Sequence, residues 1–198
     1  MDLLLATRNQ HKTQEFRQLL GHEFNVVDLS TDPKLEMPNE IGSTFTENAI
    51  LKAVHVSENN DLVVIADDSG LEADALEGAP GIYSARYAGE NATDKENIDK
   101  LLSELRRRNM PIQNWTARFR CVIALAQAGK MVATFEGAVE GIIVDPPRGR
   151  SGFGYDPVFQ PNGFKQTFAE MAPGFKNEIS HRAKAVAALR EALPNFEN

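Results

Sequence analysis

The apolar residues of this chain change rhythm partway along it, and that change limits the fold more than any single residue does. Early on, short apolar-rich runs of strand length at residues 3–6, 24–29 and 62–66, the last of them continuous, alternate with stretches whose apolar residues recur every three or four positions. Such runs suit buried strands, and Phe16, Leu19 and Leu20 mark the inner face of a helix between the first two. Thr44-Phe45-Thr46-Glu47 has the S/T-x-x-E form of a capping box, opening a second helix that runs to about Ser57. Thr93-Asp94-Lys95-Glu96 repeats the form, ahead of a helical stripe of Ile98, Leu101, Leu102 and Leu105. Later, strands follow one another directly. Residues 119–126 and 131–135 flank Ala128-Gly129-Lys130 as a hairpin would, and residues 137–144 add another strand. Ser180 caps a last helix to about Leu193. Residues 30–42, 77–91 and 148–161 read as loops. Alternation followed by succession predicts an α/β fold, a mixed β-sheet flanked by helices, with a site in a cleft where strand ends meet loops.

The chain has 198 residues, 42% hydrophobic and 25% charged, enough to bury a core. A single domain over residues 1–198 is the default, with two closely joined lobes as the alternative. No repeat, low-complexity tract or linker interrupts it. The start lacks the basic flank and length of a signal peptide, and no apolar run approaches the roughly 20 residues of a membrane span. The single cysteine, Cys121, lies in an apolar run and reads as buried filler. A soluble, cytoplasmic protein with no membrane partner is expected. The net charge of -7 argues against nucleic acid as a partner, so local basic clusters serve something smaller.

One such cluster is the turn Thr7-Arg8-Asn9-Gln10-His11-Lys12. With Asn9 as helix cap, Lys12 falls in the opening turn beside Arg8 and His11, where the macrodipole already disfavours cations. A phosphate chain removes the conflict; a solvated basic turn is the plainer alternative. His181 and Arg182 repeat the pattern after Ser180, with Lys176 upstream. The chain contains neither G-x-x-x-x-G-K-[ST] nor G-x-G-x-x-G. It also lacks the G-x-S-x-G and H-E-x-x-H signatures of serine hydrolases and zinc peptidases.

Acids complement these cations. Asp67 and Asp68 follow the third apolar run and enter Asp67-Asp68-Ser69-Gly70, read as a sharp polar turn at a strand's end. Adjacent acids in extended chain point apart, so one can ligate while the other supports. Glu40 precedes the helix bearing Lys52, which shares a face with Phe45, Ala49 and Val56. Lys52 either snorkels to the rim or reaches a cleft to neutralise phosphate. Carboxylates of this kind suit Mg2+, which takes one or two of them plus phosphate oxygens and waters. In Gly152-Phe153-Gly154-Tyr155-Asp156-Pro157, glycines alternate with aromatics, as a stacking surface for a planar ligand would require; a core-lining turn is the alternative.

In this order, six segments resemble the inosine triphosphate pyrophosphatase family, the non-canonical purine NTP pyrophosphatases. They are Ala6-Thr7-Arg8-Asn9-Gln10-His11-Lys12, Thr44-Phe45-Thr46-Glu47-Asn48-Ala49, Ala66-Asp67-Asp68-Ser69-Gly70-Leu71, the stretch from Gly78 to Tyr87, Gly152-Phe153-Gly154-Tyr155-Asp156-Pro157 and Ile179-Ser180-His181-Arg182. The resemblance implies an elongated mixed sheet in two lobes with the nucleotide between them, a homodimer, and Mg2+-dependent hydrolysis of (d)ITP or XTP to monophosphate and pyrophosphate. It assigns phosphate binding to Thr7, Asn9 and Lys12, metal binding to Glu40 and Asp68, and proton acceptance to Asp68. Substrate contacts fall on Ser69, Phe153, Gly154, Tyr155, Asp156, Lys176, His181 and Arg182. Ser151 and Gly174-Phe175 depart from the family pattern, which bears on base selectivity rather than on the phosphate residues. A pyrophosphatase with another base preference and a non-catalytic nucleotide sensor are the rival readings.

Overall fold

The computed structural model describes residues 1–30, 35, 37–58 and 60–193. Residues 31–34 and 36, part of the first expected loop, lie outside the described residues. In chain order the elements are β1 (Asp2–Leu5), α1 (Gln10–Leu20), β2 (Asn25–Asp28), α2 (Phe45–Ser57), β3 (Val63–Ala73), α3 (Asp94–Arg107), β4 (Thr116–Gln127), β5 (Lys130–Ile143), β6 (Phe159–Pro161), α4 (Pro173–Ile179) and α5 (His181–Ala192). Short 3-10 turns join them, notably at Gly81–Arg86 and Asp156–Val158. The sheet runs β2-β1-β3-β4-β5-β6. β1 pairs in parallel with β2 and with β3, while β6 runs antiparallel to β5, so the sheet is mixed as the apolar rhythm implied. Parallel neighbours need a crossover, which α1 and α2 supply.

The chain divides into two compact units. The first takes Met1–Asp68, Cys121–Gly137 and the stretch from Arg182 onward; the second takes Ser69–Arg120 and Ala138–His181. Leu3, Leu5, Phe16, Leu20, Ile65, Ile123 and Leu189 pack the core of the first. Cys121 belongs to that core, and burial pushes its thiol up to about 12, as expected of filler. In the second, the stripe of Ile98, Leu101, Leu102 and Leu105 on α3 packs with Leu71, Phe159 and Phe168. Each such side chain fully buried contributes about 1.5–3 kcal/mol. Among the described residues no helix is long and apolar enough to cross a membrane.

Four local expectations are corrected. Asp67-Asp68-Ser69-Gly70 is no turn, because β3 continues through it to Ala73. The two strands expected at residues 131–135 and 137–144 are one, since β5 passes through Gly137 unbroken. α4 forms where no helix was expected, with Pro173 in its first turn. At α2 only half of the capping box exists: Thr44 Oγ1 accepts from the Glu47 N–H at 3.1 Å, but the Glu47 carboxylate turns to the Ser43 N–H and hydroxyl, both 2.7 Å away. The box at Thr93 and Glu96 is complete.

The β4–β5 connection is a two-residue loop with φ of 49° at Ala128 and 73° at Gly129. Positive φ at both positions is type I′ geometry, which favours Asn-Gly and strains an alanine. The Gly129 N–H donates to Ser57 Oγ at 3.0 Å, so the turn is pinned in that shape. Ala128→Asn is expected to raise Tm by about 2–4 °C in thermal denaturation, corresponding to about 1 kcal/mol.

Candidate active site

In the first unit, β1 delivers the chain into the basic turn, where Asn9 caps α1. Its side-chain carbonyl accepts from the His11 N–H at 3.0 Å and the Lys12 N–H at 3.3 Å, and the Asn9 N–H donates to Thr7 Oγ1 at 3.2 Å. The first turn holds no acid. Three backbone donors of this turn are thus engaged internally, and what it presents is chiefly side chains. Arg8 donates to the Leu35 carbonyl at 2.7 Å, Gln10 to the Asp28 carboxylate at 3.3 Å, and His11 is exposed. Asp28, buried at the end of β2, also accepts from Thr13 Oγ1 at 2.7 Å and so ties α1 to the sheet.

Strand alternation sends Asp67 and Asp68 to opposite faces of β3. Asp67 meets Lys12 Nζ at 3.0 Å and Arg182 Nη2 at 3.0 Å. Burial alone would raise its pKa, but Lys12, Arg182 and Lys52 outweigh burial and hold the carboxyl well below the usual range. Asp68 accepts from Lys52 Nζ at 3.0 Å and from Asn48 Nδ2 at 3.3 Å. Here burial prevails over Lys52 and Lys12, with Glu40 adding to it, and the pKa rises. Neighbouring acids are therefore driven in opposite directions, the usual way a site divides one ionised anchor from one proton acceptor.

Lys52 is buried, with Nζ also 2.9 Å from Glu40 Oε1, so it reaches the acids instead of snorkelling. Burial opposes its charge, yet Asp68, Asp67 and Glu40 together raise its pKa. Asn48, one turn before Lys52, receives the Gly42 N–H on its Oδ1 at 2.9 Å. A Cβ on Gly42 would stand 2.6 Å from that oxygen, so only glycine allows the loop carrying Glu40 this close an approach to α2. Sequence reasoning did not single out Asn48; its signal was a second polar residue on the apolar face of α2. It also missed Glu15, which shares the buried Arg182 guanidinium with Asp67.

Among the described residues no group of three or more His, Cys, Asp or Glu is arranged around a metal position. The donor chemistry nonetheless fits Mg2+, since carboxylate oxygens of Glu40 and Asp68 converge on one cationic centre, the Lys52 ammonium. Two carboxylates suffice for an ion that draws its remaining ligands from phosphate and water.

The second unit carries the glycine-aromatic loop at residues 152–157. Gly152 and Gly154 have φ of 76° and 59°. A Cβ on Gly152 would fall 2.0 Å from Asp156 Oδ2. That buried carboxylate accepts from the Phe153 N–H at 3.0 Å and pairs with the buried Lys176 at 2.7 Å. Phe153 is half-buried, with the Lys176 ammonium 5.1 Å from its ring. Tyr155 lies in the core, where its hydroxyl donates to the Ser84 carbonyl at 2.9 Å, so Phe153 is the ring available for stacking. His181 is buried with its ring parallel to Phe119, centroids 4.7 Å apart. Ser69, next to Asp68 on β3, is half-buried. At the departures from the family pattern, the Ser151 N–H donates to the Ala169 carbonyl at 3.1 Å, and Phe175 meets Phe164 edge-on.

Fold and charged residues together define an α/β protein whose mixed sheet carries a buried acid pair bracketed by lysine and arginine, and such proteins are known. The model of the Ham1 family matches residues 3–192. The chain is 49% identical to a dITP/XTP pyrophosphatase of Shouchella clausii, over 97% of this chain and 96% of that one. Among solved structures, a HAM1 protein from Coxiella burnetii superposes with a TM-score of 0.88 at 41% identity, covering 98% of this chain and 99% of that one. The Ham1 protein of Staphylococcus aureus gives 0.86 at 40% identity, with both chains covered completely. This chain belongs to the Ham1 family.

Proposed function

We propose that the protein hydrolyses non-canonical purine nucleoside triphosphates, (d)ITP and XTP, to the monophosphate and pyrophosphate. Relatives at this level of identity bear the name dITP/XTP pyrophosphatase, from Shouchella clausii to Bacillus licheniformis. The observation that carries the reading is the split at β3, where Asp67 is locked ionised between Lys12 and Arg182 while Asp68 has a raised pKa beside Lys52. An acid so raised is the better proton acceptor at neutral pH. Asp68 takes the proton of a water whose oxygen bonds to the α-phosphorus, and the bridging bond to the β-phosphate breaks with its electron pair leaving on pyrophosphate. Lys12 and Lys52 offset the charge that develops on the leaving group.

Thr7, Arg8, Asn9, Gln10 and His11 form the phosphate turn. Glu40 and Asp68 would hold Mg2+, which when bound supplies charge withdrawal from the phosphate oxygens. Phe153 stacks on the base, Ser69, Gly154, Asp156 and Lys176 shape its surroundings, and His181 donates toward the 6-oxo group. Arg182, turned onto Asp67 and Glu15, serves the site by fixing Asp67.

A donor aimed at a 6-oxo acceptor is left unpaired against the 6-amino group of adenine. With Mg2+ present, kcat/KM for ITP and XTP is expected to exceed that for ATP by about 100-fold or more, with pyrophosphate as the product. Equal rates across ITP, XTP, GTP and ATP, or release of orthophosphate, would refute the reading.

A further inference from the structure

The loop at residues 152–157 doubles back on itself at two left-handed glycines, so its shape depends on what holds its backbone. The Phe153 N–H is held from within the loop by Asp156. The next amide, that of Gly154, is held from outside: it donates at 2.7 Å to Oδ2 of Asp94, the first residue of α3, sixty positions away in sequence. We infer that Asp94 is a positioning residue for nucleotide specificity, fixing the Gly152 to Asp156 backbone so that Phe153 presents its ring to the base. This rests on the function proposed above.

Three observations support it. The bond is short and charge-assisted but open to water, so its worth is that of one ordinary hydrogen bond. A hollow of about 390 Å³ lined by Asp94, Ile98, Arg150, Ser151 and Phe153 opens beside the loop, so packing there is sparse and the tether matters more. The carboxylate is also spare to the helix, because α3 is capped by Thr93 with Glu96 and keeps Glu96 as a first-turn acid. Removing Asp94 therefore loosens the loop and leaves α3 folded. Phe153 touches the base alike in ground and transition states, so its misplacement weakens uniform binding: KM rises and kcat holds.

The test compares wild type, Asp94→Ala and Asp94→Asn in steady-state kinetics with ITP and ATP, in thermal denaturation, and in hydrogen exchange of the peptide covering residues 152–157. For Asp94→Ala a rise of about fivefold in the KM for ITP is expected, the equivalent of one such hydrogen bond, with kcat within twofold. Its preference for ITP over ATP should fall and exchange in the loop should quicken. Asp94→Asn keeps an acceptor oxygen and should restore KM, preference and exchange. A lowered Tm with KM and preference unchanged would make Asp94 merely structural and overturn the inference, as would unchanged exchange. A wild-type protein that releases no pyrophosphate from ITP overturns the proposed function and the specificity role with it, while the exchange data still decide separately whether Asp94 holds the loop.

Discussion

Asp68→Asn should lower kcat for pyrophosphate release from ITP by about three orders of magnitude, within the usual range for a lost general base, while the protein stays folded. The amide is nearly isosteric, and its oxygen can still accept from Lys52, whose other partner, Glu40 at 2.9 Å, is untouched; the bond from Asn48 Nδ2 is the one given up. The site's loss is then chemical, because the amide cannot take a proton from water. Tm is expected to stay within about 4 °C of wild type, about 1 kcal/mol for a chain of this size. The check is single-turnover kinetics alongside thermal denaturation. Activity within tenfold of wild type at an unchanged Tm would remove Asp68 from the chemistry.

Arg182→Ala is expected to have the largest effect on stability. Arg182 is 1% exposed and its guanidinium is shared between Asp67 and Glu15, so truncation takes from the buried Asp67 one of the cations that hold it ionised. Breaking a buried pair from one side costs about 3–5 kcal/mol. Tm should accordingly fall by roughly 6–20 °C, read by calorimetry. The sign with pH follows from Asp67. Its folded pKa is depressed, so its contribution is complete above the ordinary aspartate value of 3.8 and is lost as pH falls below it. The gap between wild type and Arg182→Ala should stay constant near neutrality and narrow below about pH 4. A gap that widens there would mean Asp67 is not the stranded charge.

How much was legible beforehand differs from element to element. α3 could be read in full, since its capping box and its Ile98, Leu101, Leu102, Leu105 stripe are local features that the structure only repeats. The Asn9 cap and the Ala128-Gly129 turn were legible for the same reason. The continuation of β3 through Asp67 and Asp68 was not. Two acids, a serine and a glycine read as a turn because local chemistry prefers water for them, whereas in the fold Lys12, Arg182, Asn48 and Lys52 arrive from α1, α5 and α2 to replace that water. α4 escaped because seven residues with Pro173 and Gly174 at their head show no apolar period. Of the expected site, the order of the motifs pointed to the acids and lysines. It did not reveal that Tyr155 anchors to Ser84 in the core while Phe153 remains half-buried, since a Gly-aromatic repeat serves both purposes equally well.

The division between Asp67 and Asp68 rests on nothing but odd and even places along β3. Both are the same amino acid, and their surroundings differ only because consecutive residues of a strand look opposite ways. Leu5 opposite Ile65 in the parallel pairing of β1 with β3, reinforced by the Ala6 N–H on the Ile65 carbonyl at 2.8 Å, sets that parity two residues before it is used. A frame shift of one residue in this strand would carry one carboxylate into the other's place and move its neighbour out of the pair altogether. Deleting Ala66 and inserting an alanine after Asp68 keeps chain length, leaves a carboxylate at the place of Asp67 and puts alanine at that of Asp68, so the anchor can be kept while the base is removed.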